Sequence, residues 1–274
     1  PRIRPRRGEY WIFDRSAGPK PRRVLFPTPT LTSKGVVVTT EVSGHLMIGP
    51  NAEDLPPDAK DDVGNTAKGL EEVWERAREL WPRLPSRRLV IRTFAGLRPE
   101  PEGGDFVIGT TEVWGFVNAA GTRSPGLTAA PAIALRVRDA LVELGIELRE
   151  KSRWKATRRD IESTIDLSWR ERASRAREDP FRGRVVCRCN LVTEREVLEA
   201  IERMRAVGVR TPSLDSVKFR TGATSGTCQG SFCRVRLVEI LAREFGVPLW
   251  GVTLKGRGSE VGVGDVKVLL RGRA

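Results

Sequence analysis

Along the first fifty residues, short apolar runs alternate with turn-forming residues. Glu9-Tyr10-Trp11-Ile12-Phe13-Asp14, Arg23-Val24-Leu25-Phe26, Lys34-Gly35-Val36-Val37-Val38-Thr39 and His45-Leu46-Met47-Ile48-Gly49 are each set off by Gly, Pro or Ser. β-Branched and aromatic runs of this length predict antiparallel strands of one sheet. The period then changes. Leu70, Val73, Trp74, Ala77, Leu80 and Trp81 recur at helical spacing behind Asn65 or Thr66 as N-cap, which predicts one amphipathic helix. Residues 89–96, 106–109 and 115–120 read as further strands, and a glycine-containing turn leads from the last into a helix from about 128 to 144.

Residues 151–184 carry eleven Lys or Arg and six Asp or Glu, with Trp154, Ile161, Ile165, Leu167 and Trp169 as their few apolar anchors. That composition predicts a connector draped over a surface, with a domain boundary inside it. Beyond it, a helix over 193–204, a loop, and a second helix ending near Phe245 frame four cysteines, and a β-like run follows over 263–270. The division expected is 1–150, a connector 151–184, a small cysteine domain 185–250 and a tail 251–274. The fold class is α+β, without internal repeats.

Charge narrows the function classes. The 274 residues hold 48 Lys+Arg against 35 Asp+Glu, a net charge of +13, with 39% hydrophobic and 30% charged residues. The bases are interleaved with acids and form no Lys/Arg block, which argues against nucleic-acid binding. No stretch approaches the roughly 18 apolar residues of a membrane span, and the run from Tyr10 to Phe13 behind the basic start is too short for a secretory signal. A cytoplasmic chain is expected, touching the inner membrane face at most peripherally.

All four cysteines fall in the last third, as Cys187-Arg188-Cys189 and Cys228-Gln229-Gly230-Ser231-Phe232-Cys233. Two tight thiol pairs in a chain otherwise free of cysteine point to a metal centre more than to disulfides. Cys-x-Cys cannot close a relaxed internal disulfide and departs from the spacing of structural zinc, but it can offer two thiolates to one side of a cluster. A [2Fe–2S] centre needs four thiolates and leaves a negative charge that helix N-termini would stabilise. Thr193-x-x-Glu196 has the form of a capping box, and Ser231 can cap a helix starting near Phe232. Gly222, Gly226 and Gly230 would let backbone N–H groups approach the sulfurs. A Cys₄ zinc knot, or cysteines that are reduced and idle, are the alternatives.

Upstream, Gly121-Thr122-Arg123-Ser124-Pro125-Gly126-Leu127-Thr128 turns a strand into a helix. N–H groups at such a helix start suit an anionic or polar cofactor edge; a plain strand-to-helix turn is the other reading. Arg98, at a strand end before Pro99, can present a rigid fork to carboxylate or phosphate, or be one surface arginine among many. The only histidine, His45, reads as structural or incidental.

These residues resemble known families. Val186-Cys187-Arg188-Cys189 with Thr193-Glu194, and Gly226-Thr227-Cys228-Gln229-Gly230-Ser231-Phe232-Cys233, look like the bacterioferritin-associated-ferredoxin-type [2Fe–2S] domain at the C-terminus of certain flavin-dependent dehydrogenases. The Cys-x₄-Cys pair is similar to that of anaerobic glycerol-3-phosphate dehydrogenase-like proteins. Phe94-Ala95-Gly96-Leu97-Arg98-Pro99 resembles the Ala-Gly-x-Arg-Pro segment of the D-amino-acid-oxidase-like superfamily, and the 118–131 turn resembles its last βα unit. The resemblance implies an antiparallel or mixed substrate-domain sheet plus the last βα unit of an FAD domain, followed by a small helical [2Fe–2S] domain. It implies Arg98 as anchor of a small anionic substrate, and Gly121, Ser124, Pro125, Gly126, Leu127 and Thr128 at the FAD. Cys187, Cys189, Cys228 and Cys233 become the cluster ligands.

The implied activity is flavin-dependent oxidation of glycerol 3-phosphate, or of a similar hydroxy or amino acid, with electrons relayed through the cluster to an acceptor protein or quinone. The superfamily's N-terminal Gly-x-Gly-x-x-Gly fold has no counterpart near the start. The remaining FAD site is therefore expected on a partner subunit, or on an N-terminal half of which this chain is the continuation. A non-catalytic iron–sulfur or metal-delivery module is the alternative function, and the long N-terminal sheet region speaks against it.

Overall fold

The structure, a computed structural model, describes residues 2–29, 34–211, 213–265 and 268. It divides into two units, Pro1–Lys155 and Ala156–Ala274.

The spine of the first unit is β1 (Ile3–Phe13). On one side β1 pairs antiparallel with β3 (Leu46–Gly49), which pairs with β2 (Val37–Thr40), and with the short β4 (Glu53–Asp54). On the other it pairs with β5 (Val90–Pro101), in register from Ile3↔Pro101 to Ile12↔Arg92. Both strands run beyond the apolar stretches because carboxylates hold the basic start of β1. Arg6 pairs with Asp54 at 2.6 Å and Glu100 at 3.4 Å, and Arg7 with Glu53 at 2.8 Å. The 23–26 run forms no strand. Leu25 makes one bridge to Val38, and the surrounding Pro19, Pro21, Pro27 and Pro29 lack the N–H a ladder requires.

Alternation along β1 sends Glu9, Trp11 and Phe13 to the face on which α1 (Ala67–Leu80) packs. Trp74 meets the Trp11 ring edge-on at 5.7 Å, and Val36, Val38, Leu46, Ile48, Val73 and Ala77 fill the core around Phe13. Thr66 is the N-cap, accepting from the Gly69 N–H at 3.0 Å, while buried Glu9 accepts from the Thr66 N–H at the same positive helix end. His45 is buried here with Nδ1 3.0 Å from the Phe13 carbonyl. The opposite face carries Gly8, Tyr10, Phe94, Gly96 and Arg98. A separate hairpin of β6 (Val107–Thr110) and β7 (Val117–Ala120) leads into α2 (Gly126–Glu143), which begins at the glycine turn itself.

In the second unit, the stretch read as a connector holds α3 (Trp169–Glu178), closed by a Ser168/Glu171 capping box, and the one-turn α4 (Pro180–Gly183). The hairpin of β8 (Val185–Cys187) and β9 (Val192–Thr193) precedes α5 (Glu194–Ala206), α6 (Leu214–Thr221) and α7 (Arg234–Phe245). Helix α6 occupies what the pattern left as a loop, because eight residues are too few to display a period. Val197, Ile201, Met204, Leu214, Val217, Leu237 and Leu241 form the core. Most of the 263–270 run lies outside the described residues. Among the described residues no helix is long and apolar enough to cross a membrane.

Candidate cluster and substrate sites

Four cysteines meet because two loops fold onto each other. Cys187 ends β8 and Cys189 lies in the turn that follows it, with Cys228 and Cys233 in the loop between α6 and α7. Asn190 fastens the loops, its Nδ2 donating to Gly222 O at 2.7 Å and Ser225 Oγ at 3.2 Å. Gln229 Nε2 closes the second loop on Ser225 O at 3.0 Å and Gly226 O at 3.1 Å. Gly226 is where the loops come closest: a Cβ there would stand 2.3 Å from Cys189 Cβ, so no larger residue fits without displacement.

Each spatial pair takes one thiol from each sequence pair. Cys187 and Cys233, both buried, share a hydrogen bond, as do the partly exposed Cys189 and Cys228. Cys187 and Cys189 stay in contact as well, since the Cys189 N–H donates to Cys187 Sγ, so all four thiols belong to one cluster of side chains. Among the described residues no three His, Cys, Asp or Glu side chains gather about one ion-sized point. Four thiols brought together by two loops are the number that a [2Fe–2S] centre takes, two for each iron.

Main-chain N–H groups converge on the sulfurs. Cys187 Sγ accepts from Asn190, Thr224 and Cys189, Cys228 Sγ from Phe232 and Gly230, and Cys189 Sγ from Cys228. The hydrogen bond from the Cys233 thiol, helped by these N–H groups, brings Cys187 down to about 6 against the opposing effect of burial. Cys233, donating to Cys187, is correspondingly pushed up. The Phe232 N–H draws Cys228 down, and burial raises Cys189. Aiming the main chain inward has a conformational cost. Leu191 (φ 51°), Thr224 (φ 70°) and Gln229 (φ 48°) are the non-glycine residues with left-handed backbone among the described residues, and all three lie in these loops. Each such residue costs about 1–3 kcal/mol. Donors preorganised for negative sulfur are what a cluster's residual charge requires, and the residues present fit that group.

The expected Thr193/Glu196 capping box is present at α5. Ser231 does not cap α7: its Oγ donates to Cys228 O at 2.8 Å, and the helix begins at Arg234 with Cys233 at the N-cap. Sequence reasoning also missed Thr164. From the stretch read as a connector it donates to Leu191 O at 2.6 Å and reaches Glu196 at 3.3 Å, steadying the first cysteine loop.

In the first unit, Arg98 lies half-buried across the β1–β5 pair. Its Nη2 donates to the Asn51 carbonyl at 2.6 Å, and the guanidinium also donates to the Tyr10 hydroxyl. Gly8 makes room for it, since a Cβ there would stand 2.3 Å from Nη2. Tyr10 stacks on Phe94 at 4.7 Å and 5°. Over Gly96 there is open space, with no atom within 4 Å of where a Cβ would stand. Burial draws Arg98 below the usual arginine value and raises Tyr10. Among the described residues no carboxylate lies within ion-pair distance of Arg98, although Arg6 on the same face has two. Tyr10 and Asn51 were not singled out from sequence. The alternation of Gly8 and Tyr10 opposite Gly96 and Phe94 is the signal that finds Tyr10; Asn51 contributes through its main chain and leaves none.

The glycine turn is tied to the same strand. Glu100, two residues beyond Arg98, forms ion pairs with Arg123 of the turn at 2.8 Å and with Arg6 at 3.4 Å. Gly121 abuts Pro101, Ser124 and Pro125 are exposed, and Gly126 is buried at the first helical position. Leu127 (93% exposed) and Thr128 face outward. No side chain caps α2, so the first-turn N–H groups at Leu127 and Thr128 remain available to a ligand.

Comparison with known proteins accords with this geometry. Residues 1–140 match the model of the FAD dependent oxidoreductase family. The chain belongs to that family. Residues 185–243 match the BFD-like [2Fe-2S] binding domain, so FAD and a [2Fe–2S] cluster are the cofactors indicated for this FAD dependent oxidoreductase chain. A glycerol 3-phosphate dehydrogenase of Caloramator mitchellensis is 41% identical over 266 residues, covering 97% of this chain and 54% of that protein. A glycerol 3-phosphate oxidase of Mycoplasma genitalium is 31% identical over 167 residues, 60% of this chain and 40% of that one. The solved glycerol-3-phosphate dehydrogenase from Bacillus halodurans, complexed with FAD, superposes with a TM-score of 0.51 over 90% of this chain and 54% of its own, at 18% identity, a likeness of fold. The chain thus spans about half the length of the dehydrogenase it matches.

Proposed function

We propose that the chain supplies the substrate sheet, the last FAD-contacting turn and the electron-relay domain of a flavin-dependent dehydrogenase acting on glycerol 3-phosphate. The observation that carries this reading is Arg98: a half-buried guanidinium with no carboxylate partner among the described residues, braced by the Asn51 carbonyl and the Tyr10 hydroxyl, beside open space over Gly96. A fork held this way suits a pair of oxygens of a phosphate or carboxylate, and a small anion over Gly96 completes its charge balance. The dehydrogenase and oxidase relatives named above support the phosphate ester over other hydroxy or amino acids.

FAD, when bound, supplies the hydride acceptor. Gly121, Ser124, Pro125, Gly126, Leu127 and Thr128 would line its edge, with the uncapped N-terminus of α2 favouring negative charge there. Tyr10 and Phe94 would wall the substrate on one side. Cys187, Cys189, Cys228 and Cys233 would hold the cluster that hands electrons to an acceptor protein or quinone. The FAD-binding remainder comes from a partner subunit or an N-terminal half, and exposed Val113, Trp114, Phe116, Leu127, Leu135 and Val142 offer it an apolar face.

The test is anaerobic steady-state oxidation of glycerol 3-phosphate by the chain together with its FAD-binding complement. Arg98→Ala should lower kcat/KM by about 10²-fold or more while FAD and iron contents hold, as expected when a desolvated charged hydrogen bond is truncated. Absence of turnover with every hydroxy and amino acid tried would overturn the reading.

A further inference from the structure

Charge around the cysteines is one-sided. Segments 184–193 and 216–236, which carry all four, contain six Lys or Arg and no Asp or Glu. Arg184 pairs with Glu194 and Lys218 with Asp215. Arg188, Arg220, Arg234 and Arg236 have no carboxylate within ion-pair distance among the described residues, in a protein whose arginines elsewhere form many ion pairs. Three of these four border the partly exposed thiol pair. Arg188 directly precedes Cys189, and the Arg188 and Arg236 guanidinium groups lie over the Phe232 ring at 4.2 and 4.4 Å. The Phe232 N–H donates to Cys228 Sγ. Arg234, also exposed, reaches toward Gln229 O at 3.5 Å.

The main-chain N–H groups already address the sulfurs, so neutralising the cluster does not require these exposed side chains. Stacking on Phe232 holds two guanidinium groups in place, which lowers the entropy lost when carboxylates from outside engage them. The edge they frame, Cys189 and Cys228, is the less buried side and hence the shorter path for an electron.

We propose that Arg188, Arg234, Arg236 and Phe232 form the docking surface for an acidic one-electron carrier protein. The proposal rests on the reading that the cysteines hold a [2Fe–2S] cluster, and it narrows the acceptor to a protein whose contact surface is rich in carboxylates. One electron passes between cluster and carrier, the donor losing and the acceptor gaining it, with no bond formed or broken. The docking surface is the same in either direction, so the transfer can be followed in whichever direction is downhill.

The full chain, its cluster reconstituted anaerobically and quantified by iron and sulfide analysis, is mixed in stopped flow with dithionite-reduced flavodoxin as the acidic probe. After dithionite reduction, the same protein is mixed with basic cytochrome c. The flavodoxin rate constant should fall at least about tenfold between about 20 and 300 mM salt, while the cytochrome c rate rises or stays level. Arg188→Glu with Arg236→Glu should lower the low-salt flavodoxin rate about tenfold or more at unchanged cluster content. If that pair impairs cluster assembly, Arg188→Gln with Arg236→Gln should give a smaller drop of the same sign. Salt-insensitive flavodoxin rates, or equal rates in a cluster-loaded variant, overturn the proposal. Binding to phosphatidylglycerol vesicles that the double variant abolishes, with salt-insensitive flavodoxin rates, assigns the surface to a membrane and also overturns it. A chain that takes up no iron or sulfide instead overturns the cluster reading itself.

Discussion

Helix α7 buries Leu237, Val238, Ile240, Leu241 and Ala242, whereas α2, half as long again, buries only Gly126 and Ala140. The first is a two-faced helix whose apolar stripe is spent on the core it shares with α5 and α6. The second is apolar on most sides, and it leaves Leu127, Leu135 and Val142 in solvent, as the turn of the preceding hairpin leaves Val113, Trp114 and Phe116. A helix apolar all round is ordinarily buried. The 156–274 unit therefore closes upon itself, and the 1–155 unit, although α1 and the sheet share a core, presents a face that calls for a complement. Strain is distributed in the opposite sense. The self-contained unit carries the left-handed Leu191, Thr224 and Gln229, and the unit with the open face has none among its described non-glycine residues.

This contrast makes testable demands. Cys233→Ser removes the fully buried thiol that we propose as a cluster ligand, and essentially all cluster absorption should vanish while FAD retention and substrate KM of the complemented enzyme stay put. A fall in FAD retention would show the two units to be coupled. Gly226→Ala drives a methyl toward Cys189, and overpacking of this kind costs about 1–3 kcal/mol; a lowered midpoint for thermal loss of the cluster, with unchanged KM, is the expected readout. In the other unit, Tyr10→Phe deletes one brace of Arg98. It should lower kcat/KM about fivefold, near the worth of one hydrogen bond, with the cluster spectrum unmoved.

The smallest effect concerns Glu196. Burial holds its carboxyl above the usual range, outweighing the Thr193 and Thr164 donors. A carboxyl raised in the folded state contributes stability that is complete below its unfolded value and is lost as pH rises through the folded one. Denaturant unfolding of the second unit should show a shallow decline from acid toward neutral pH, flattened by Glu196→Gln. An equal slope in wild type and variant would clear Glu196 of any part in it.

Several features are legible in the chain alone. Helical periodicity locates α1, the Thr-x-x-Glu pattern the α5 capping box, and the cysteine spacing a metal-binding domain, because each depends on residues within a turn or two of one another. Arg98 is legible as a fork before proline. Its brace is not, since Tyr10 lies across a strand pair and Asn51 acts through a carbonyl that any residue possesses. Ser231 misleads because a serine before a helix has two local uses, and the loop spends its hydroxyl on the Cys228 carbonyl.

By itself the sequence determined the periods of the main elements, the inventory of thiols and the basic segments that surround them, all properties of neighbours along the chain. Only the tertiary structure decided that Cys187 faces Cys233 and Cys189 faces Cys228, that Thr164 steadies the first cysteine loop, and that Arg98 is left without a carboxylate among the described residues while Arg6 takes two. Those outcomes depend on which distant groups packing brings within a few ångströms, and neither spacing nor composition encodes that distance.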